Sequence, residues 1–179
     1  MRESIGGQPV VPPTQSALDV NPIERNKIYE DSWKNGGLGL FGAFTDLTID
    51  ERANETVAEF IRSKISKIVH DSEVAQKLMP YYYYGTKRPI IDTNYYETYN
   101  RENVSLVDVK NDSIESITPN GLKTKNNEYE LDVIIFATGY DGMTGPLMKI
   151  DIKGKDGISL KEKWDGGAQT RTYLGIANA

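Results

Sequence analysis

The chain has no cysteine among its 179 residues and a single histidine, His70. The first absence excludes a disulfide framework and any thiolate metal site. The second leaves an imidazole metal site without its partner ligand and argues against a histidine-centred catalytic triad. Long apolar runs are missing as well. The longest, Val133 to Ala137, falls far short of the roughly twenty residues that span a bilayer. The opening Met1-Arg2-Glu3-Ser4 carries none of the apolar stretch of a secretory signal. Positive charge is not in excess either: the net charge is -5, which argues against a general nucleic-acid binder. Nor does a glycine-rich turn follow an apolar strand and open a helix, the setting a dinucleotide fingerprint needs. What remains is the composition of an ordinary globular protein, 38% hydrophobic and 26% charged.

What is present divides into a helical first half and a second half of short strands. Residues 1–20 are rich in Pro, Gly, Gln and Ser and read as a loop or linker. Asn21-Pro22 predicts a helix start, with Asn as cap and Pro in the first position, running through Tyr29 and Trp33 to Asn35-Gly36-Gly37. Residues 36–45 read as a loop held over a core by Phe41 and Phe44. Thr48 and Glu51 have the spacing of a capping box. Beyond them Ala53, Val57, Ile61, Ile65 and Ile68 recur at helical spacing, opposite Glu55, Glu59, Arg62 and Lys67. Asp71 caps a further short helix that ends at Met79-Pro80. In the run Tyr81 to Tyr84, alternate rings are expected to pack against neighbours; a stacking platform is the second reading. Asn103 to Asp108 reads as a strand, and Arg101 serves an ion pair or a phosphate. Ser113–Thr118 and Leu122–Thr124 read as a hairpin around Asn120-Gly121. Ile150–Ile152 alternates like a strand, Lys155-Asp156-Gly157 is a hairpin-type turn, and Tyr173–Ile176 opens a last strand.

Two stretches carry possible chemistry. Leu131 to Phe136, with Val133, Ile134 and Ile135, predicts a strand buried on both faces, as in doubly wound α/β folds. It ends in Ala137-Thr138-Gly139-Tyr140-Asp141, where Gly139 permits a tight turn or the close approach of a cofactor. On the residues alone an ordinary strand stopping at a glycine turn is the simpler account. The second stretch is Gly85-Thr86-Lys87-Arg88-Pro89. Two adjacent cations usually mark a basic surface loop, but Pro89 restricts the backbone and sends them in defined, different directions.

Several segments together resemble one family. They are Asn54-Glu55-Thr56-Val57-Ala58-Glu59-Phe60-Ile61-Arg62, Gly85 to Pro89, Tyr95-Tyr96-Glu97-Thr98-Tyr99-Asn100-Arg101, Ala137 to Asp141, and Leu160-Lys161-Glu162-Lys163-Trp164. Their order and spacing are similar to those of Baeyer–Villiger monooxygenases of the cyclohexanone and phenylacetone type, over almost the whole chain. The resemblance implies an α/β fold, a fragment of a flavoprotein with two dinucleotide-binding domains. Residues 1–84 would be a helical insertion of the NADPH domain, 85–136 its last short strands, and 137–179 an incomplete return into the FAD domain. It implies FAD and NADPH as cofactors, no metal, a ketone and O2 as substrates, and a cytoplasmic enzyme without nucleic-acid or membrane partners. Arg88 is implied as the catalytic residue, a guanidinium over the flavin that stabilises negative charge developing on oxygen. Lys87 is implied to face the 2′-phosphate of NADPH. Ala137, Thr138, Gly139 and Asp141 are implied to border the cofactor. The family's nucleotide fingerprints fall outside the matched region. The chain is therefore expected to be the middle third of such an enzyme, inactive without the remainder of the full-length protein. Two other readings stand beside this one: a different flavoprotein monooxygenase that oxidises nitrogen or sulfur, and a non-catalytic remnant.

Overall fold

Asn21 starts the first helix, as its position before Pro22 predicts. Its side-chain oxygen accepts from the backbone N–H groups of Ile23 and Glu24 at 3.1 and 3.0 Å. Helix α1 runs Pro22–Asn35 and stops at Gly36, whose φ of 66° suits a residue without a Cβ. The computed structural model describes residues 12–36, 38–142 and 144–168. Gly39–Gly42 form one 3-10 turn. Helix α2, Glu51–Ile68, is capped by Asp50 and not by the expected Thr48. The Asp50 carboxylate accepts from the N–H of Arg52 at 2.8 Å, and an acid next to the positive end of a helix outcompetes a hydroxyl two residues further out. Helix α3, Ser72–Leu78, is capped by Asp71 as predicted.

The core of this helical part follows the periodicity read from the sequence. Ala53, Val57 and Ile65 of α2 are fully buried, while Ile61 and Ile68 are half-buried. Tyr29 of α1 meets Phe44 edge-on, with ring centroids 5.3 Å apart, and lies 5.2 Å from Phe60. Its hydroxyl shares a 2.7 Å hydrogen bond with Thr56. Phe44 is thus the ring that anchors the glycine-rich loop, with Phe41 half-buried beside it. A smaller apolar cluster joins Ile65, Val69 and Ala75, with Tyr96 and Tyr99 against it. Glu55, Glu59 and Lys67 are exposed, as expected of the outer face.

The described part of residues 1–20 has no helix or strand, and within it Ala17 is fully buried. Asp46 holds this stretch: its carboxylate accepts from the Ser16 hydroxyl at 2.6 Å and from the Ala17 N–H at 2.8 Å. Burial disfavours the ionised Asp46. The donors from Ala17, Ser16 and neighbouring backbone outweigh it and hold the carboxyl below its ordinary value. A depressed pKa contributes stability above the unfolded value and loses it as pH falls through the folded one. As pH falls below the ordinary aspartate range, Asp46→Asn is therefore expected to lose less stability than the wild type, read as the pH slope of a thermal midpoint.

Beyond α3 the structure departs from the predicted strands. Residues 104–108 form no strand. A short helix α4, Tyr95–Thr98, precedes them, with Asp92 accepting from the Tyr95 N–H at 2.9 Å. Asn100 is structural: its amide donates to Ile68 O at 2.7 Å and accepts from the His70 N–H at 2.9 Å, closing the end of α2. Arg101 is exposed.

The predicted hairpin forms. Strands β1, Ile114–Thr118, β2, Gly121–Thr124, and β3, Glu128–Glu130, lie side by side in that order, with β2 and β3 antiparallel. Gly121 is required by close approach, since a Cβ there would stand 1.9 Å from Tyr129 O. Gly121→Ala is expected to open this edge, seen as lost hydrogen-exchange protection of the Leu131 amide, which donates to Asn120 O at 2.9 Å.

The chain divides into two compact units, one up to Glu115 plus Thr124–Asn126, the other Ser116–Lys123 plus the residues from Asn127 onward. In the second unit the expected buried strand at Leu131–Phe136 is not formed. Residues 133–142 lack regular structure, and Val133, Ile135 and Phe136 are 74%, 84% and 69% exposed. A strand buried on both faces needs neighbours to pair with and layers to cover it. Among the described residues no strand lies beside it, and no parallel sheet is formed. Ile150–Ile152 likewise forms no strand, but Lys153 and Ser159 make an antiparallel bridge around the predicted turn, with Gly157 at φ 77°. Helix α5 is Gly145–Met148, and helix α6, Leu160–Lys163, opens with a capping box between Ser159 and Glu162. Trp164 behind it is buried. The strand expected at 173–176 lies outside the described residues. Among the described residues no helix is long and apolar enough to cross a membrane, and no acidic, His or Cys cluster suits a metal.

Candidate functional site

The loop that carries Lys87 and Arg88 is built from α2 outward. The tyrosine run ahead of it does not alternate: Tyr81, Tyr82 and Tyr83 are exposed and Tyr84 alone is buried. The run is not a strand, so its side chains do not take opposite faces in turn. Tyr84 is fixed instead by Asn54, a buried polar residue on the apolar face of α2. The Asn54 amide donates to Tyr84 O at 2.9 Å and to Leu47 O at 2.7 Å, and accepts from the Tyr84 N–H at 2.9 Å. The Tyr84 phenol, its ring against Phe41 with centroids 4.9 Å apart, is pushed well above its ordinary value by burial.

Gly85 then turns at φ 90°, where an added Cβ would come within 3.2 Å of Phe41 Cε1. Thr86 closes the turn, its N–H and hydroxyl donating to Tyr83 O at 3.2 and 2.7 Å. The Lys87 ammonium sits 4.7 Å from the centroid of the Tyr82 ring. Lys87 lines a cavity of about 320 Å³ with Trp33, Ile61, Tyr82, Asp92 and Tyr96; Arg88 lies outside that lining, exposed. Neither cation forms an ion pair with a described residue.

The other predicted site residues belong to the second unit. Ala137, Thr138, Gly139 and Asp141 are exposed. Gly139 takes φ 85°, and nothing approaches within 4 Å of where its Cβ would be, so this glycine is set by backbone conformation. Asp141 forms an ion pair with Lys149, and an added Cβ on Gly145 would stand 2.5 Å from Asp141 Cβ. The spacing Gly37-x-Gly39-x-x-Gly42 has the glycine count of a dinucleotide fingerprint. It follows a helix and leads into a 3-10 turn, so it lacks the strand-to-helix setting that such a turn requires. Asn54 and Gly85 are the residues that sequence reasoning left without a role. A lone amide between Ala53, Val57 and Ala58 was the available signal.

No protein-family model matches the chain. Relatives and solved structures do. The chain is 42% identical over 165 residues to a Baeyer–Villiger monooxygenase of Pseudooceanicola batsensis, covering 90% of this chain and 30% of that protein. It is 42% identical over 166 residues to cyclohexanone 1,2-monooxygenase of an Acinetobacter species, covering 91% and 30%. It is 41% identical over 167 residues to the phenazine N-monooxygenase PhzNO1 of Lysobacter antibioticus, covering 92% and 30%. The crystal structure of OTEMO in complex with FAD and NADP superposes with a TM-score of 0.84 at 42% identity, covering 90% of this chain and 31% of that one. The chain is therefore a segment of a flavoprotein fold. Within that class it is homologous to the Baeyer–Villiger monooxygenases, and it spans about 30% of the length of these relatives.

Proposed function

We propose that this chain is part of an FAD- and NADPH-dependent monooxygenase that inserts one oxygen atom of O2 beside a ketone carbonyl, giving an ester or lactone. The observation that carries the reading is the likeness over nine tenths of the chain to a Baeyer–Villiger enzyme and to a structure holding both cofactors. The helices up to residue 84 would then be an insertion of the NADPH domain, the strands to 136 its close, and the remainder the return toward the FAD domain. The rest of the polypeptide would be the necessary partner and the cytoplasm its compartment.

Two features, one in each unit, support the reading of an anionic dinucleotide as ligand. Lys87 and Arg88 are cations without a carboxylate partner among the described residues, and Gly139 has open space before it. FAD, when bound, supplies the redox chemistry, and the protein supplies binding, orientation and electrostatics. Arg88 would hold a permanent positive charge where negative charge builds on oxygen. Lys87, a compact ammonium on a flexible stem, would meet the 2′-phosphate of NADPH as a point charge. Ala137, Thr138, Gly139 and Asp141 would border the cofactor, with Gly139 allowing backbone approach.

A second reading has an observation of its own. The phenazine N-monooxygenase is as similar to this chain as the ketone oxygenases are, so nitrogen oxidation is the alternative. Product analysis of the complete enzyme separates the two. A cyclic ketone converted to its lactone supports the proposal; an N-oxide from a nitrogen heteroaromatic, with the ketone untouched, overturns it.

A further inference from the structure

We infer that Asn54 is a positioning residue for the Lys87–Arg88 pair, setting the direction in which the loop presents its two cations. The inference rests on the oxygenase reading above for the role of those cations, but not for the clamp itself.

The geometry is that of a lock. One amide satisfies both backbone groups of Tyr84, and its remaining proton goes to Leu47 O. The segment before α2, the helix and the loop are thereby joined through a single side chain that is 5% exposed. This demands two donors and one acceptor in one plane, an inventory that only a side-chain amide of this length offers. Aspartate lacks the donors, leucine lacks all three groups, and glutamine moves them outward by a methylene. Removing the amide would strand two carbonyls and an N–H away from water, so the loop has to move to solvate them. The loop is restrained from the other side as well, where Gly85 is pressed against Phe41 and Thr48. Only Thr86, itself tied back to Tyr83 O, separates that restraint from Lys87. A backbone shift at Tyr84 would therefore pass to the cations three and four residues on, while leaving their chemistry unaltered.

The test uses Asn54→Leu, similar in volume, in the complete enzyme loaded with FAD, with Gly85→Ala as a second variant that disturbs the same turn from its other face. Two ratios are read: the Michaelis constant for NADPH, and the fraction of consumed NADPH recovered as oxygenated product. Neither depends on how much of the enzyme is folded. A displaced pair is expected to raise the first and lower the second, with kcat/KM falling about 10²-fold, as a misplacement of about 1 Å can do. Both ratios unchanged in the soluble variants overturn the inference, because a merely structural clamp would change only the yield of folded protein. A parallel arm is independent of the reaction. In the 179-residue chain, trypsin cleavage after Lys87 is expected to speed up in Asn54→Leu relative to cleavage elsewhere, and an unchanged rate rejects the clamp. If the complete enzyme forms no oxygenated product at all, the oxygenase reading fails while this arm still decides the role of Asn54.

Discussion

Arg88→Lys in the complete enzyme is expected to lower ester or lactone formation by about 10²- to 10³-fold, the range for losing one electrostatic donor at a site of developing oxyanion charge. The substitution keeps the charge and removes the shape. A guanidinium is planar, offers several N–H donors in a fixed fork, and is weakly hydrated; an ammonium is a compact point charge that holds its water. Arg88 is exposed and free of ion pairs with described residues, so the change should leave folding intact and act on chemistry alone. Product formed per enzyme-bound FAD is the measurement. Normal turnover by the lysine variant would show that position 88 contributes nothing but charge, and would reject its catalytic assignment. Lys87→Ala gives the contrast: its loss should appear in the Michaelis constant for NADPH more than in kcat, because a phosphate contact made before and during the reaction alters binding uniformly.

Tyr29→Ala is expected to destabilise the helical unit by about 3–5 kcal/mol, the range for truncating a buried aromatic. Tyr29 is 2% exposed and is the ring through which α1, the glycine-rich loop and α2 all meet. Tyr29→Phe keeps that packing and removes only the hydroxyl, which shares its hydrogen bond with Thr56. Because Thr56 Oγ1 also donates to Ala53 O at 2.7 Å, it is not orphaned by the change. The phenylalanine variant should therefore cost about 1 kcal/mol. Urea unfolding followed by helical circular dichroism measures both. Equal losses in the two variants would mean that the hydrogen bond, and not the packed ring, holds the three pieces together.

The caps and periodicities that made the helices legible are local signals. Asn21 before Pro22, Asp71 before α3 and the apolar stripe of α2 each act within one or two turns, so the chain reads the same way whatever surrounds it. The Asn-Gly turn between β1 and β2 is local for the same reason. The stretch Leu131–Phe136 is the opposite case. Its β-branched, apolar residues are suited to the middle of a sheet, but a strand exists only through its neighbours, and none of the described residues lies beside it. Around the short helix α4, Tyr96 and Tyr99 pack against Ile65, Val69 and Ala75, a tertiary contact that no propensity encodes, and burial above all, then the Tyr95 hydrogen bond, raises Tyr99 to about 12.

The same division runs through the site. Residue identity by itself determined that positions 87 and 88 carry two different cations, that Pro89 restricts the backbone behind them, and that Gly139 is free to turn where other residues would be strained. Those are properties of single side chains and their adjacent peptide bonds. Only the tertiary structure decided that Lys87 borders an aromatic-lined cavity while Arg88 does not, and that an amide thirty residues before Tyr84 fixes where the loop begins. Hydrogen bonds and apolar contacts between distant parts of a chain are set by the shape into which it closes, and sequence spacing carries no record of them.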